Sequence, residues 1–271
     1  MKQVGLDDKT VNTIDCGSGP TLLFVHGFPL DHTMWLSQIE HFASDYRVVA
    51  PDLPGFGNSG FDPQNAPTTY SMKSFADDLL RLLDALDIDE PVVFCGLSMG
   101  GYIGWQFVRH YNERVKAMIL CDTKSAADTK EVARARHFMA DGVIEAGTSL
   151  ATKGMLDRMI SPKTVQNSPD VAMTLQAMID NAPPHGVAAA QRGMAERPDV
   201  ANLLPHIDLP TLLICGEGDQ ISPPAEMQSI AAAIPNATFA TIPNAGHMPP
   251  MEQPEEFNLA VAEFLNDVFS K

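Results

Sequence analysis

The sequence predicts an α/β fold: a mostly parallel central sheet with helices on both faces and one helical insertion. Three observations carry that prediction. Short, continuously apolar runs recur along the chain, amphipathic stretches separate them, and the alternation stops over residues 124–203 before it resumes. The apolar runs lie at 21–25, 46–50, 92–95, 117–121, 211–215 and 238–242. Strands read this way, without polar alternation, when helices cover both faces of a parallel sheet. Between them, residues 71–86 set Phe75, Leu79, Leu82, Leu83 and Leu86 on one stripe, with Asp77, Asp78 and Arg81 off it. That is the period of a helix with one buried face. Ser71 can accept a hydrogen bond from the first turn and cap it. Strands and helices alternating at this spacing imply parallel pairing through right-handed crossovers.

Residues 124–203 contain no strand-like run. Gly147, Pro162, Pro169, Pro183-Pro184 and Pro198 divide the segment into several helices. The β/α pattern restarts at Leu209-Pro210-Thr211, so the expected organisation is a core in two parts, 1–123 and 204–271, around an inserted 124–203. A chain of 271 residues accommodates one such domain with a sizeable core. The insertion holds nine basic and nine acidic residues, so the net charge of −16 belongs to the core. So acidic a chain repels phosphate backbones, which argues against a nucleic-acid partner. No apolar run approaches the roughly 20 residues that span a bilayer, and residues 1–8 contain no apolar signal segment. The four cysteines, Cys16, Cys95, Cys121 and Cys215, form no C-x-x-C pair; the last three end strand-like runs and read as buried free thiols. The expectation is a cytoplasmic protein without a membrane partner.

Chemistry concentrates at the ends of the apolar runs. Gly96-Leu97-Ser98-Met99-Gly100, extended by Gly101, follows the run at 92–95 and opens a helix. That context gives a G-x-S-x-G string its meaning, because it sets the serine on a tight strand-to-helix turn with its hydroxyl above the sheet. The backbone approaches itself closely there, so the positions two before and two after Ser98 must be small; Gly96 and Gly100 meet that need. The helix N-terminus adds free N–H groups and a positive dipole end. A serine hydroxyl needs a base, and the base needs an orienting acid. His247, in a loop just after the run at 238–242, is the best-placed base among the eight histidines. His26 reads as a brace for its own loop. Asp219, in the glycine-flanked loop 216–224, is the favoured acid. Asp122, at the end of the run at 117–121, is its rival, and Glu217 a weaker one. A tetrahedral intermediate also needs two fixed N–H donors for its oxygen. The backbone N–H of Met99, directly after the serine, supplies one. Phe28, in the loop His26-Gly27-Phe28-Pro29, supplies the other.

On these blocks the chain resembles the α/β-hydrolase superfamily along nearly its full length. The matching blocks are 24–29, 52–59, 95–101, 216–224 and 246–254, and the order Ser98, Asp219, His247 is that of the superfamily. The resemblance implies a sheet of about eight strands, no metal or organic cofactor, and a small-molecule ester as partner. Within the superfamily the chain is similar to small bacterial carboxylesterases with a helical cap, here 124–203, through residues 97–102, 120–123, 182–184 and 194–198. The same blocks resemble 3-oxoadipate enol-lactonases, and the Phe28-Pro29 loop resembles that of cofactor-free haloperoxidases. Haloalkane dehalogenases and epoxide hydrolases of this fold carry an aspartate nucleophile, and Ser98 argues against both.

The expected function is therefore hydrolysis of short-chain carboxylic esters through an acyl-enzyme on Ser98. A cap of this size suits a covered pocket for a small acyl chain. Its Met139, Met155, Met159, Met173, Met178 and Met194 either line an adaptable pocket or fill space between helices and core. An enol-lactonase would need a cation for its substrate's carboxylate, and Arg134, Arg158 and Arg192 are the cap's candidates. A perhydrolase would pass the acyl group to peroxide. A non-catalytic binding module is the remaining alternative, since fold alone does not give function.

Overall fold

After three successive strands the chain alternates strands and helices, apart from one all-helical stretch. Its strands are β1 (Lys2–Leu6), β2 (Lys9–Cys16), β3 (Thr21–Val25), β4 (Arg47–Pro51), β5 (Val92–Leu97), β6 (Val115–Cys121), β7 (Thr211–Gly216) and β8 (Ala237–Ile242). The helices are α1 (Leu36–Phe42), α2 (Met72–Ala85), α3 (Met99–Tyr111), α4 (Lys130–Ala146), α5 (Thr148–Ala151), α6 (Leu156–Met159), α7 (Pro162–Asn167), α8 (Pro169–Asn181), α9 (Pro184–Ala195), α10 (Pro224–Ala233), α11 (Pro249–Glu252) and α12 (Pro254–Phe269). The structure, a computed structural model, describes residues 1–6 and 9–270; Asp7, Asp8 and Lys271 lie outside the described residues.

The strands form one sheet in the order β1-β2-β4-β3-β5-β6-β7-β8. β1 and β2 pair antiparallel, as do β2 and β4; every pairing from β4 across to β8 is parallel. Alternate residues of each central strand enter opposite layers. Leu23, Val25, Phe94, Met118, Leu120 and Leu213 join the layer built with α2, α3 and α10. Leu22, Phe24, Val93, Cys95, Ile119 and Ile214 join the layer built with α1 and α12. Both faces are dry, which is why these runs lack polar alternation. Each fully buried aliphatic or aromatic side chain contributes about 1.5–3 kcal/mol relative to exposure.

β1 and β2 are an addition to the predicted strands. β1 alternates, with Val4 and Leu6 buried and Gln3 and Gly5 exposed, the signature of an antiparallel edge with one wet face; β2 instead buries Val11, Asn12 and Thr13 in succession. Helix α2 follows the predicted stripe, with the Ser71 hydroxyl accepting from Ser74 N–H at 3.0 Å as its cap. Asp78 departs from the expectation. It is 3% exposed and accepts from the Tyr70 hydroxyl and from Lys9 Nζ.

Between β6 and β7 the described residues form helices α4 to α9. Gly147 ends α4 at φ 87°, a conformation that suits glycine. Pro162, Pro169 and Pro184 open helices, because a first-turn residue needs no N–H acceptor. α4 packs on α9. Val187, Ala190 and Met194 join one core layer; Met159, Leu175 and Met178 join the other. Most of the inserted methionines therefore pack inside, whereas Met173 is 69% exposed. No helix among the described residues is long and apolar enough to cross a membrane. Cys95, Cys121 and Cys215 are buried and all four thiols are free.

Candidate active site

β5 ends at Leu97 and α3 begins at Met99, so Ser98 alone turns the chain from sheet to helix. Its backbone stands at φ 55° and ψ −109°, a strained conformation that costs a non-glycine residue about 1–3 kcal/mol. The surroundings hold it there. Ser98 N–H donates to the Cys121 carbonyl at 2.8 Å, and the Ser98 carbonyl accepts from the Gly101 and Tyr102 N–H groups at 2.9 and 3.2 Å. The Thr123 hydroxyl donates to the same carbonyl at 2.8 Å. A methyl on Gly96 would lie 2.5 Å from the Gly100 oxygen, and one on Gly100 would run into the Val25 carbonyl. Both glycines are required by close backbone approach.

Asp219 and His247 stand on the loops after the neighbouring strands β7 and β8. His247 Nδ1 and Asp219 Oδ2 are 2.8 Å apart, with side chains 3% and 0% exposed. An ionised carboxylate only accepts, so Nδ1 carries the proton and Nε2 keeps a lone pair. Asp219 also accepts the N–H groups of Ile221 at 2.7 Å and Ser222 at 3.2 Å. Burial alone raises the Asp219 carboxyl, but the His247 hydrogen bond and charge, with these two amides, hold it below its ordinary value. The two loops meet backbone to backbone, since a methyl on Gly216 would strike the Gly246 carbonyl.

The loop after β3 lies against the serine turn. A methyl on Gly27 would come within 2.8 Å of Leu97 Cδ2 and 3.6 Å of Ser98 Cβ. The loop is closed by Leu30 N–H to the Gly27 carbonyl at 3.0 Å, and the Phe28 N–H has no backbone acceptor among the described residues. Met99, as the first residue of α3, has an N–H with no intrahelical acceptor. His26 braces this loop as expected: Nδ1 donates to the Gly27 carbonyl at 2.9 Å and Nε2 accepts from Leu53 N–H at 2.9 Å. Burial pushes its imidazole pKa down, in keeping with a neutral ring. The Phe28–Pro29 peptide is cis.

The model of the alpha/beta hydrolase fold family matches residues 20–254. The chain belongs to the α/β-hydrolase family. A thermophilic esterase from Thermogutta terrifontis, solved with malate bound, is similar to this hydrolase at 41% identity and a TM-score of 0.95, covering 99% of each chain. A 3-oxoadipate enol-lactonase from Acinetobacter baylyi is 30% identical over 243 residues, 89% of this chain and 87% of its own length. An enol-lactonase from Burkholderia xenovorans shares the fold at 24% identity, with a TM-score of 0.88 over 98% of this chain and 100% of its own.

The rival acids of the hydrolase are separated by their partners. Asp122 ends β6 fully buried, and its Oδ1 accepts Gly216 N–H at 2.9 Å. Burial first, and then the charge of Asp219, push its carboxyl well above the ordinary range. Glu217 is exposed and accepts from the Asn244 N–H at 3.2 Å. Among the described residues, two groups bring metal-ligating atoms within 4.8 Å of one another, Asp31-His32-Asp52 and Asp122-Cys215-Asp219. In the first, His32 Nδ1 and Asp52 Oδ1 bond at 2.6 Å. In the second, Asp219 is committed to His247 and Asp122 to the Gly216 N–H. Sequence reasoning missed the Thr123 hydroxyl, the His32–Asp52 pair and Glu252, which accepts N–H groups beside His247. The spacing of Glu252 after Gly246-His247 was the one local signal for it.

Proposed function

We propose that this hydrolase is a serine carboxylesterase acting on short-chain carboxylic esters through an acyl-enzyme on Ser98. The observation that carries the reading is the buried His247–Asp219 hydrogen bond, which leaves a basic Nε2. Ser98 Oγ attacks the ester carbonyl as His247 Nε2 takes its proton. Asp219 keeps the imidazole in this tautomer and stabilises the imidazolium. The N–H groups of Phe28 and Met99 receive the developing oxyanion. The alcohol leaves with the proton from His247. Water, deprotonated by the same nitrogen, then attacks the acyl-enzyme, releasing the acid and restoring the serine. Residues 124–203 act as a cap over the site and limit acyl length. The four free thiols fit the reducing cytoplasm.

A second reading, an enol-lactonase-like lactone hydrolase, draws on the 30% identity to an Acinetobacter baylyi enol-lactonase. Its anionic substrate calls for a committed cation. Arg192 is engaged by Asp141 at 2.6 Å and the Thr68 carbonyl at 3.1 Å, and Arg134 and Arg158 are exposed. The esterase reading also has the higher identity, 41% over 99% of the chain.

The test is hydrolysis of p-nitrophenyl acetate, butyrate, octanoate and palmitate, beside 3-oxoadipate enol-lactone, by wild type and Ser98→Ala. Fast cleavage of the two short esters is expected, with little lactone turnover and a loss of about 10⁴–10⁶ in Ser98→Ala. Preference for the lactone would transfer the chain to the second reading, and preference for palmitate would overturn the short-chain assignment. Peroxide added to the assay detects perhydrolysis, and a fluorophosphonate probe that fails to label Ser98 would identify an inert binding module.

A further inference from the structure

Glu252 ends α11 and is 5% exposed. Its carboxylate accepts four hydrogen bonds. Oε1 takes the N–H groups of Gly246 at 2.7 Å and Met248 at 3.1 Å; Oε2 takes the Ser161 N–H at 2.7 Å and the Thr164 hydroxyl at 2.6 Å. The two amides on Oε1 flank His247. The amide between them, that of His247 itself, donates to the Met159 carbonyl at 2.8 Å. Three consecutive N–H groups around the histidine are thus pinned, two by Glu252 and one by the inserted helices. The same segment grips the start of the loop, where the Ser161 hydroxyl donates to the Asn244 carbonyl at 2.8 Å and Lys163 Nζ to Asn244 Oδ1 at 2.5 Å.

Residues 159–164 lead from α6 into α7, so one carboxylate ties the histidine loop to the insertion. A buried carboxylate is costly unless its lone pairs are met; here every direction has a donor. A neutral amide cannot replace it, because its NH2 would face two donors. An apolar side chain would orphan four. The anion is specifically suited to hold these two segments together, and the group they enclose is the imidazole that bonds Asp219.

We propose that Glu252 is a positioning residue for His247, fixing its backbone and making its placement depend on the seating of residues 159–164. The inference rests on the reading of His247 as the base. Seating of the cap and alignment of the base then become one event. Misplacement by about 1 Å costs on the order of 10²-fold in rate.

The experiment compares wild type, Glu252→Gln and Thr164→Val by ester kinetics and by the low-field proton resonance of His247 Nδ1–H in its bond to Asp219. Glu252→Gln is expected to lower kcat about 10- to 100-fold, with KM changed far less, and to broaden or abolish the resonance. Thr164→Val, which removes a cap-side bond and leaves both His247-flanking bonds, is expected to give a smaller fall in kcat and a broadened resonance. Folding is checked by circular dichroism; if Glu252→Gln does not fold, Thr164→Val decides. Wild-type kcat with a sharp resonance in the folded variants overturns the proposal. His247→Ala separates it from the reading beneath it. Full activity in His247→Ala would sink the base assignment and this proposal together. An inactive His247→Ala beside a wild-type-like Glu252→Gln would sink the role of Glu252 alone.

Discussion

Asp122 and Asp219 are two carboxyl groups in one buried pocket, and their surroundings drive them in opposite directions. Asp219 gains a histidine and two amides; Asp122 gains one amide, with Oδ2 left without a protein partner among the described residues. The raised carboxyl has a consequence for stability. Above the unfolded value of about 3.9, the folded chain keeps a proton on Asp122 that the unfolded chain releases. The folded state then binds more protons, so this group's contribution falls as pH rises, by up to about 1.4 kcal/mol per unit. Asp122→Asn removes the linkage. Its urea midpoint relative to wild type should climb as pH rises above about 4, with activity retained; parallel midpoints would contradict the raised carboxyl. Ser98, Asp219 and His247 stood out as candidates because each follows an apolar run in a glycine-marked loop, and the structure joins the last two by a hydrogen bond. Thr123 and Glu252 were not assigned roles, because they act on the backbone. The Ser161–Glu252 bond, for instance, joins residues 91 apart in sequence, and no local pattern encodes such a pairing.

Elements show the same division. The runs that became β3 to β7 were legible because both faces of each strand are largely buried, and β8, only partly buried, by its aliphatic and aromatic run; β1 escaped a search for continuous apolarity by having one wet face, and β2 by its polar residues. Helix contacts are less visible still. Gly186 in α9 lies so close to Gly55 that a methyl would collide with the Gly55 carbonyl, whereas Gly142 in α4 has nothing within 4 Å of the corresponding position. Helix propensity alone favours alanine at both sites by about 1 kcal/mol. At Gly186 the collision is with backbone, which cannot swing aside, and overpacking costs about 1–3 kcal/mol. Gly186→Ala should therefore lower the melting temperature and Gly142→Ala should raise it. Equal shifts in thermal unfolding would show that α9 does not rest on the 53–57 loop.

For the whole molecule the governing quantity is charge. The net −16 lies outside residues 124–203, which are formally neutral. A negatively charged substrate approaches against that field, and salt screens it over a Debye length of about 10 Å at 0.1 M. The kcat/KM for p-nitrophenyl succinate should rise as salt is raised from low ionic strength, while that for p-nitrophenyl butyrate stays nearly level. Parallel salt curves for the two esters would rule out a charge effect on substrate entry. Fold class was legible at this scale because strand composition reports burial on both faces. The depth to which the insertion is fastened was not, since its contacts with the core are long-range.

Asp219 and His247, the acid and base of the proposed mechanism, stand on the loops after β7 and β8, and β8 pairs with β7 at the sheet's edge. Ser98 is made far earlier, on the turn after β5. On the ribosome, which adds about 5–20 residues per second, Ser98 emerges before Asp219 and His247. A nascent chain lacking β8 has Ser98 but not the His247 that the proposed mechanism needs to deprotonate it. On that reading, synthesis carries its own safety catch: ester cleavage waits for the last strand, and a translation product truncated before β8 should be hydrolytically silent.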